Sequence, residues 1–173
     1  MFKKILCAID GSDHAGKALE LAIDLARKYD AQLLLLHILL RNVDAPELQR
    51  FAEIEGLTKT VTPEVDRLRV VDSRTEILRI GEIESISTGV LANIAEHIAD
   101  SARHEAEGAG VENVSVAVLD GDPAKRILEY AKRQDVDCIV MGHRGLSDVK
   151  SLLLGSVSQR VSNQAPCTCI AVK

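Results

Sequence analysis

Short apolar runs that do not alternate with polar residues are the feature that most restricts the fold of this chain. Three of them lie at Lys4–Ile9, Gln32–Leu39 and Cys138–Met141. A strand has this composition when helices cover both of its faces, as in parallel sheets, whereas a strand with one solvated face alternates. A helical pattern over Asp13–Tyr29 separates the first two runs. A strand, a helix and a second strand joined this closely predict a right-handed parallel unit.

The same order of strand and helix continues to the end of the chain. Ser12 and Asp122 are predicted N-caps, because a short polar side chain can bond the free amides of a helical first turn. Helices are predicted at Asp13–Tyr29, Ser85–Glu107, Pro123–Arg133 and Ser156–Gln164, and further strands at Val114–Leu119 and Thr168–Val172. Five strands that alternate with helices predict an α/β fold: a doubly wound five-stranded parallel sheet of strand order 3-2-1-4-5, with helices on both faces.

One domain over residues 1–173 is expected, because this length suffices for such a sheet. The segment Arg41–Glu84 shows broken helical periodicity and dense mixed charge. We expect it to be an inserted helical or loop excursion above the sheet edge. Two interpretations of it stay open: a flap over a ligand, or a solvated loop with short helices and no role in binding.

Composition and charge exclude several classes of function. The net charge of -5 repels nucleic-acid backbones, and aromatic residues, which form stacking platforms for single strands, make up only 2% of the chain. The longest apolar segment is too short to span a bilayer, and the run after Met1 is too short for a signal peptide. The four cysteines lack paired CxxC spacing, which favours free core thiols over a zinc site. A cytoplasmic protein that binds a small ligand, and neither nucleic acid nor a membrane, is therefore expected.

Three glycines and two serines lie close together after the fourth predicted strand: Gly142, Gly145, Gly155, Ser156 and Ser158. The first two glycines permit positive φ and a close approach of the main chain to a bulky anion. The helix that begins at Gly155 would direct its unpaired amides, including that of Val157, and its positive dipole end at the same anion. The sequence thus predicts a phosphate site made mainly of backbone, in the crevice where open α/β sheets bind ligands.

These residues resemble the nucleotide-binding signature of the universal stress protein family, in its ATP-binding subgroup. Gly142-x-x-Gly145, nine residues and then Gly155-Ser156 match every fixed position of that signature. Further matches to the family are Asp10-Gly11-Ser12, Leu35-Leu36-His37-Ile38, Gly121-Asp122-Pro123 and Ala165-Pro166-Cys167. The resemblance covers nearly the whole chain outside Arg41–Glu84.

The resemblance implies that Asp10 lies beside the ribose and that the main chain of Ile38 meets adenine. Two alternatives stay open, in which Asp10 is only a turn-forming carboxylate and Ile38 only a core residue. His143 and Arg144 lie between the paired glycines, and each either contacts a phosphate or faces solvent. At the first of these positions the family more often has a small residue. His37 is expected to be a strand-end side chain rather than a catalyst.

A second phosphate motif nearly forms after the first strand. The stretch from Gly11 to Ala18 has the glycines and the lysine of a P-loop, but Ala18 stands where that loop needs Ser or Thr to bind the metal. Gly16, Lys17 and Ala18 also fit inside the predicted helix. Lys17 is therefore expected to be a solvated helix residue.

The leading hypothesis is an ATP-binding universal stress protein that acts as a nucleotide-responsive regulator in stress adaptation. The resemblance implies ATP, with or without Mg²⁺, and because no carboxylate is clearly placed to orient a water, at most slow hydrolysis is expected. One alternative is a nucleotide-independent dimeric scaffold of the same fold. Another is an adenine-nucleotide α-hydrolase, which would carry a Ser-Gly-Gly loop where Asp10-Gly11-Ser12 stands here. The family and the apolar edge strand both favour a homodimer joined through Thr168–Val172.

Overall fold

The computed structural model describes residues 1–39, 95–145 and 155–173. Three predicted features lie wholly or partly outside these residues. They are the excursion at Arg41–Glu84, the first part of the helix at Ser85–Glu107 and the segment Leu146–Leu154 between the glycines.

Five strands and four helices alternate along the described residues. They are β1 Lys4–Ile9, α1 Asp13–Tyr29, β2 Gln32–Leu39, α2 with its described part at residues 95–108, β3 Val114–Asp120, α3 Pro123–Gln134, β4 Cys138–Gly142, α4 Ser156–Gln164 and β5 Thr168–Val172. Each strand lies where the sequence predicts it, and β3 and β4 each extend one residue further.

The strands form one parallel sheet of order β3-β2-β1-β4-β5, which confirms the predicted fold class and strand order. From β1 the chain first winds outwards through β2 to β3 and then returns to place β4 on the other side of β1. Ala8 of β1 pairs with Met141 of β4. The carboxyl ends of β1 and β4 therefore flank the point at which the winding reverses, where sheets of this kind form a crevice.

Two apolar clusters cover the two faces of the sheet. Ile5 and Cys7 of β1 belong to the first cluster, together with side chains of α1 and α2. Leu6, which lies between them, belongs to the second cluster, together with side chains of α3 and α4. Successive residues of a strand point to opposite faces, so burial on both faces produces the continuous apolar runs. Burial of each such Leu or Ile stabilises the fold by roughly 1.5–3 kcal/mol.

The predicted helix caps are confirmed. Ser12 Oγ accepts a hydrogen bond of 3.2 Å from the amide of Ala15 at the start of α1, and Asp122 Oδ1 accepts one of 2.7 Å from the amide of Lys125 at the start of α3. Ala18 is fully buried inside α1. The P-loop alternative is therefore wrong, because its last positions form the second turn of a packed helix rather than a loop.

Within the described residues, no helix combines the length and the apolar character that crossing a membrane requires.

Candidate functional site

The carboxyl ends of β1 and β4 bring two of the predicted site residues together. Asp10 follows β1, and residues 142–145, which we call the glycine loop, begin at the last residue of β4. A Cβ atom placed on Gly145 would lie 2.5 Å from Oδ2 of Asp10. The Asp10 carboxylate therefore contacts the glycine loop across the crevice between β1 and β4.

Asp10 also forms the turn that leads into α1. Its Oδ1 atom accepts hydrogen bonds from the amide of Ser12 at 3.0 Å and from Ser12 Oγ at 2.6 Å. Gly11 between them has a φ of 78°, which a residue without Cβ adopts without strain. One carboxylate oxygen thus holds the turn, and the other faces the glycine loop.

Packing, and not positive φ, explains why the loop has glycine at positions 142 and 145. Positive φ is found among the described glycines at Gly11, Gly110 and Gly121, and not at Gly142, Gly145 or Gly155. Gly142 and Gly145 therefore do not use the positive φ that glycine permits. Absence of a side chain is required there by packing within the protein itself. A Cβ on Gly142 would lie 2.8 Å from the carbonyl oxygen of Arg144 and 2.9 Å from Cβ of His14.

The first turn of α4 differs from those of α1 and α3. Its N-cap is Gly155, with φ of -68° and ψ of 155°, and among the described residues no side chain caps the helix. The amide of Gln159 makes the first bond within the helix, to the carbonyl of Gly155 at 2.9 Å. The preceding amides of Ser156, Val157 and Ser158, which we call the α4 amides, receive no acceptor from the cap position. The positive end of a helix favours an anion, and the described cap position supplies no acceptor of its own to these amides.

Ser158 stabilises the junction between the glycine loop and α4. Its side chain is buried, and Oγ lies 2.6 Å from the carbonyl of His143 and 2.9 Å from the carbonyl of Gly155. Both partners are acceptors, so the hydroxyl donates its proton within the protein. The amide of Gly155 donates to the same His143 carbonyl at 2.8 Å. These bonds fix the direction in which α4 leaves the loop.

His143 is buried and bonded to the end of β5. Its amide donates to the carbonyl of Val172 at 2.7 Å, and its Nδ1 atom lies 3.0 Å from the same oxygen. A carbonyl only accepts, so Nδ1 carries the proton. The ring meets that of His14 edge to face at a centroid distance of 4.4 Å. Desolvation, and then the positive fields of His14 and Arg144, lower the pKa of His143 below its usual value, so that the ring is neutral at pH 7.

Arg144 is half-buried and lies against the start of α4. A Cβ on Gly155 would be 3.4 Å from Cα of Arg144. Its positive charge adds to desolvation in lowering the pKa of His143. The structure therefore brings a permanent cation to the same end of the sheet as the uncapped α4 amides.

Ile38 and His37 lie at the end of β2 beside the same crevice. Ile38 pairs with Leu119 of β3, and its side chain belongs to the second apolar cluster. Pairing of β1 with β2 ends at Ile9 and His37, so the main chain of Ile38 continues past β1 with no strand partner on that side. His37 Nδ1 donates to the carbonyl of Ile9 at 2.9 Å, and burial lowers the pKa of His37. His37 is therefore a neutral strand-end side chain, as predicted.

Among residues 1–39, 95–145 and 155–173, no three His, Cys, Asp or Glu side chains are grouped so that they could hold a metal ion. Burial raises the pKa of Cys138 to about 11 and also raises those of Cys167 and Cys169. These thiols are protonated at neutral pH and are poor nucleophiles.

The sequence reasoning missed His14. This residue lies in the first turn of α1 and contacts both Gly142 and His143. The signal for it was its position directly after the first strand, at the same end of the sheet as the glycine loop. The sequence alone does not show that α1 packs close enough to β4 for the two histidine rings to meet.

The fold and the site define a doubly wound α/β protein with a glycine loop and an uncapped helix start at the point where the winding of its sheet reverses. The chain belongs to the universal stress protein family, whose family model matches residues 1–173. It is 32% identical over 173 residues to the universal stress protein YxiE of Bacillus subtilis (strain 168), with 100% of both chains covered. It is 34% identical over 173 residues, again with 100% of both chains covered, to a universal stress protein of Thermus aquaticus.

Solved structures of universal stress proteins share this fold. UspA from Lactobacillus plantarum superposes with a TM-score of 0.67 at 22% identity, covering 99% of this chain and 98% of that one. A universal stress protein in complex with cAMP has a TM-score of 0.63 at 20% identity, covering 99% and 97%. A family protein from Arabidopsis thaliana with AMP bound has a TM-score of 0.61 at 18% identity, covering 99% and 91%.

Proposed function

We propose that this protein binds an adenine nucleotide, namely ATP with or without Mg²⁺, in the crevice between β1 and β4, and acts as a nucleotide-responsive regulator in stress adaptation. In this proposal Asp10 bonds the ribose and the main chain of Ile38 meets adenine. The phosphates contact Arg144, the glycine loop and the α4 amides. His143 and Ser158 belong to the site through the bonds that hold those amides in place.

The uncapped start of α4 is the observation that carries the proposal. Both α1 and α3 begin with a polar side chain that bonds a first-turn amide, whereas α4 begins with Gly155. A Gly N-cap costs only about a few tenths of a kcal/mol relative to a polar cap, and it leaves the first-turn amides to water or to another acceptor. A phosphate group satisfies several of them at once and is further stabilised by the helix dipole. The chain carries a net charge of -5, so local dipoles of this kind must supply the attraction for an anion.

Relatives with nucleotides support the same ligand class. Of the structures that share this fold, one contains cAMP and another contains AMP. Adenosine and at least one phosphate are common to both ligands. We extend that chemistry to this chain because Gly142, Gly145 and Gly155 stand at the junctions where such a ligand would meet main-chain amides. We propose in addition that the protein works in the cytoplasm.

Substitutions at Gly155 test this proposal, because its backbone angles suit any residue. Among the described residues, a Cβ there would meet no atom closer than 3.4 Å. Gly155→Asp should cap α4 as Asp122 caps α3, and it should thereby occupy the α4 amides with a carboxylate. Repulsion between like charges costs several kcal/mol, so affinity for ATP measured by isothermal titration calorimetry should fall at least about 100-fold. Gly155→Ala, which adds Cβ but no acceptor, is the matched control and should bind within about threefold of wild type.

Two results would contradict the proposal. Absence of measurable heat with ATP and with AMP at millimolar concentration would reject nucleotide binding. Equal affinities of the Gly155→Asp and Gly155→Ala variants would place any nucleotide elsewhere. Thermal unfolding of both variants checks that the fold is intact, and the aspartate variant should be at least as stable as the alanine variant because of its added cap.

We further propose a homodimer joined through β5. This strand is at the edge of the sheet and pairs only with β4 among the strands described. Its residues are exposed or half-buried in the single chain. An edge strand with free main-chain groups and apolar side chains pairs readily with a second copy. Light scattering should give twice the mass of one chain at micromolar concentration, and the mass of a single chain would contradict the dimer.

A further inference from the structure

Both the main chain and the side chain of His143 form hydrogen bonds at the end of the sheet. Its amide and its Nδ1 atom both approach the carbonyl of Val172, at 2.7 Å and 3.0 Å. Its carbonyl accepts from the amide of Gly155 at 2.8 Å and from Ser158 Oγ at 2.6 Å. One residue therefore links β4, the end of β5 and the first turn of α4.

The ring of His143 is poorly suited to bind a phosphate directly. Its Nδ1 proton is donated to the carbonyl of Val172. The ring also packs on the ring of His14 in a T-shaped arrangement. The side chain is buried, and desolvation favours the neutral form, which lowers the pKa of His143. A neutral, buried ring whose donor is already used offers a phosphate little attraction.

We infer that His143 is a positioning residue, which holds the glycine loop against the end of β5 so that the α4 amides point into the crevice, and that it does not contact the nucleotide. This inference rests on the proposed function for its effect on binding. Its structural part concerns the bonds from the His143 carbonyl to α4. His143 acts through Gly155 and Ser158, because its carbonyl accepts hydrogen bonds from the Gly155 amide and the Ser158 hydroxyl and so holds both in place.

The bond geometry explains why the side chain matters. Main-chain hydrogen bonds hold the peptide groups on both sides of His143. Rotation of either peptide group would move the carbonyl of His143 away from Gly155 and Ser158. The bond from Nδ1 to Val172 opposes such rotation because it fixes the side chain to a strand of the sheet. Groups that bind a ligand need this kind of support to keep their donors in productive geometry. Without the side-chain bond, the start of α4 should sample more orientations.

Three substitutions separate positioning from direct contact. Asn places an amide nitrogen close to where His has Nδ1, so His143→Asn keeps the donor to Val172. Gln places it near the position of Nε2, so His143→Gln keeps a polar side chain but loses that donor. His143→Ala removes both. The two readouts are hydrogen exchange of the Gly155 amide without ligand, followed by NMR, and affinity for ATP by calorimetry at low and high salt.

The Ala and Gln variants should exchange the Gly155 amide about 3- to 10-fold faster than wild type and bind ATP about 3- to 10-fold more weakly, as expected for one lost hydrogen bond. The Asn variant should resemble wild type in both readouts. The dependence of ATP affinity on salt should be the same in all four proteins, because no charge that faces the phosphates has changed. If the Ala variant fails to fold, the comparison of Asn with Gln gives the same decision.

Two outcomes would overturn the inference. One is weaker ATP binding by the Gln and Ala variants with unchanged exchange of the Gly155 amide and a reduced salt dependence, which would make His143 a direct phosphate ligand. The other is exchange of the Gly155 amide at the wild-type rate in the Gln and Ala variants together with wild-type affinity for ATP, which would leave His143 with neither role. If wild type itself binds no adenine nucleotide, the proposed function fails, and the exchange rates still decide whether His143 positions α4.

Discussion

Replacement of Gly142 by alanine should destabilise the protein because of contacts with backbone on two sides. The new Cβ would lie 2.8 Å from the carbonyl oxygen of Arg144, 2.9 Å from Cβ of His14 and 3.0 Å from the carbonyl carbon of His14. Favourable contacts between carbon atoms lie at about 3.5–4.0 Å, so each neighbour is too close by about half an ångström or more. Rotation of a side chain cannot relieve these contacts, because the main chain of α1 and of the glycine loop would have to move.

The expected cost follows from the behaviour of overpacked cores. Inserting a methyl group where the backbone must shift typically costs about 1–3 kcal/mol. For a chain of this length, each kcal/mol lowers the melting temperature by roughly 2–4 °C, so a loss of about 2 kcal/mol corresponds to roughly 4–8 °C. Urea denaturation followed by circular dichroism measures the free energy directly, and the slope of the transition should stay unchanged.

Gly16→Ala is the matched control for the same chemical change. Gly16 is exposed inside α1, and a Cβ there would meet nothing within 4 Å. Alanine is the better helix former, so this variant should be more stable than wild type by about 0.5–1 kcal/mol. Opposite signs for the two glycine-to-alanine changes are thus expected. A Gly142→Ala variant within about 0.5 kcal/mol of wild type would refute the packing argument.

Three further predictions concern single side chains. Ser158→Ala should cost about 0.5–1.5 kcal/mol in urea denaturation, because the one hydroxyl proton that the His143 and Gly155 carbonyls share is lost while both carbonyls keep a main-chain donor, and unchanged stability would contradict this. Asp122→Ala should cost about 1–2 kcal/mol through loss of the α3 cap and of the exposed ion pair with Arg160, whereas Asp122→Asn should recover most of the loss because it can still cap. The lowered pKa of His37 means that the unfolded chain takes up a proton first as the pH falls. The free energy of unfolding should therefore decrease from about pH 6.5 down to that lower pKa, and His37→Asn should reduce this dependence.

The strands and the first helix could be predicted because their causes are local in the sequence. Residues 5–9 of β1 point alternately to two buried faces, and this leaves an uninterrupted apolar run. Ser12 and Asp122 are recognisable as caps because the amides that they bond lie only three residues further on. The structure confirms the predicted order of strands, and the position that we propose for the site, at the ends of β1 and β4, follows from that order.

The packing contacts that require glycine in the loop, and the orientation of the side chains around it, could not be predicted from local sequence patterns. Gly142 lacks a side chain because of His14, which is distant in the chain and is brought there by the packing of α1 on β4. His143 is directed to Val172, which lies beyond α4 in the sequence. Ser158 belongs to the predicted phosphate site, yet its hydroxyl is used inside the protein. Contacts of this kind depend on tertiary distances that no local pattern encodes.

The central claim is that main-chain amides at the carboxyl end of β4 and at the start of α4 bind the phosphates of an adenine nucleotide. Titration of ¹⁵N-labelled protein with ATP, followed by amide chemical shifts, tests it most directly. The claim predicts that the largest shifts occur at Gly142, Gly145, Ser156 and Val157 and that they saturate together. Saturable shifts confined to other parts of the sheet, or no shifts at millimolar ATP, would contradict it.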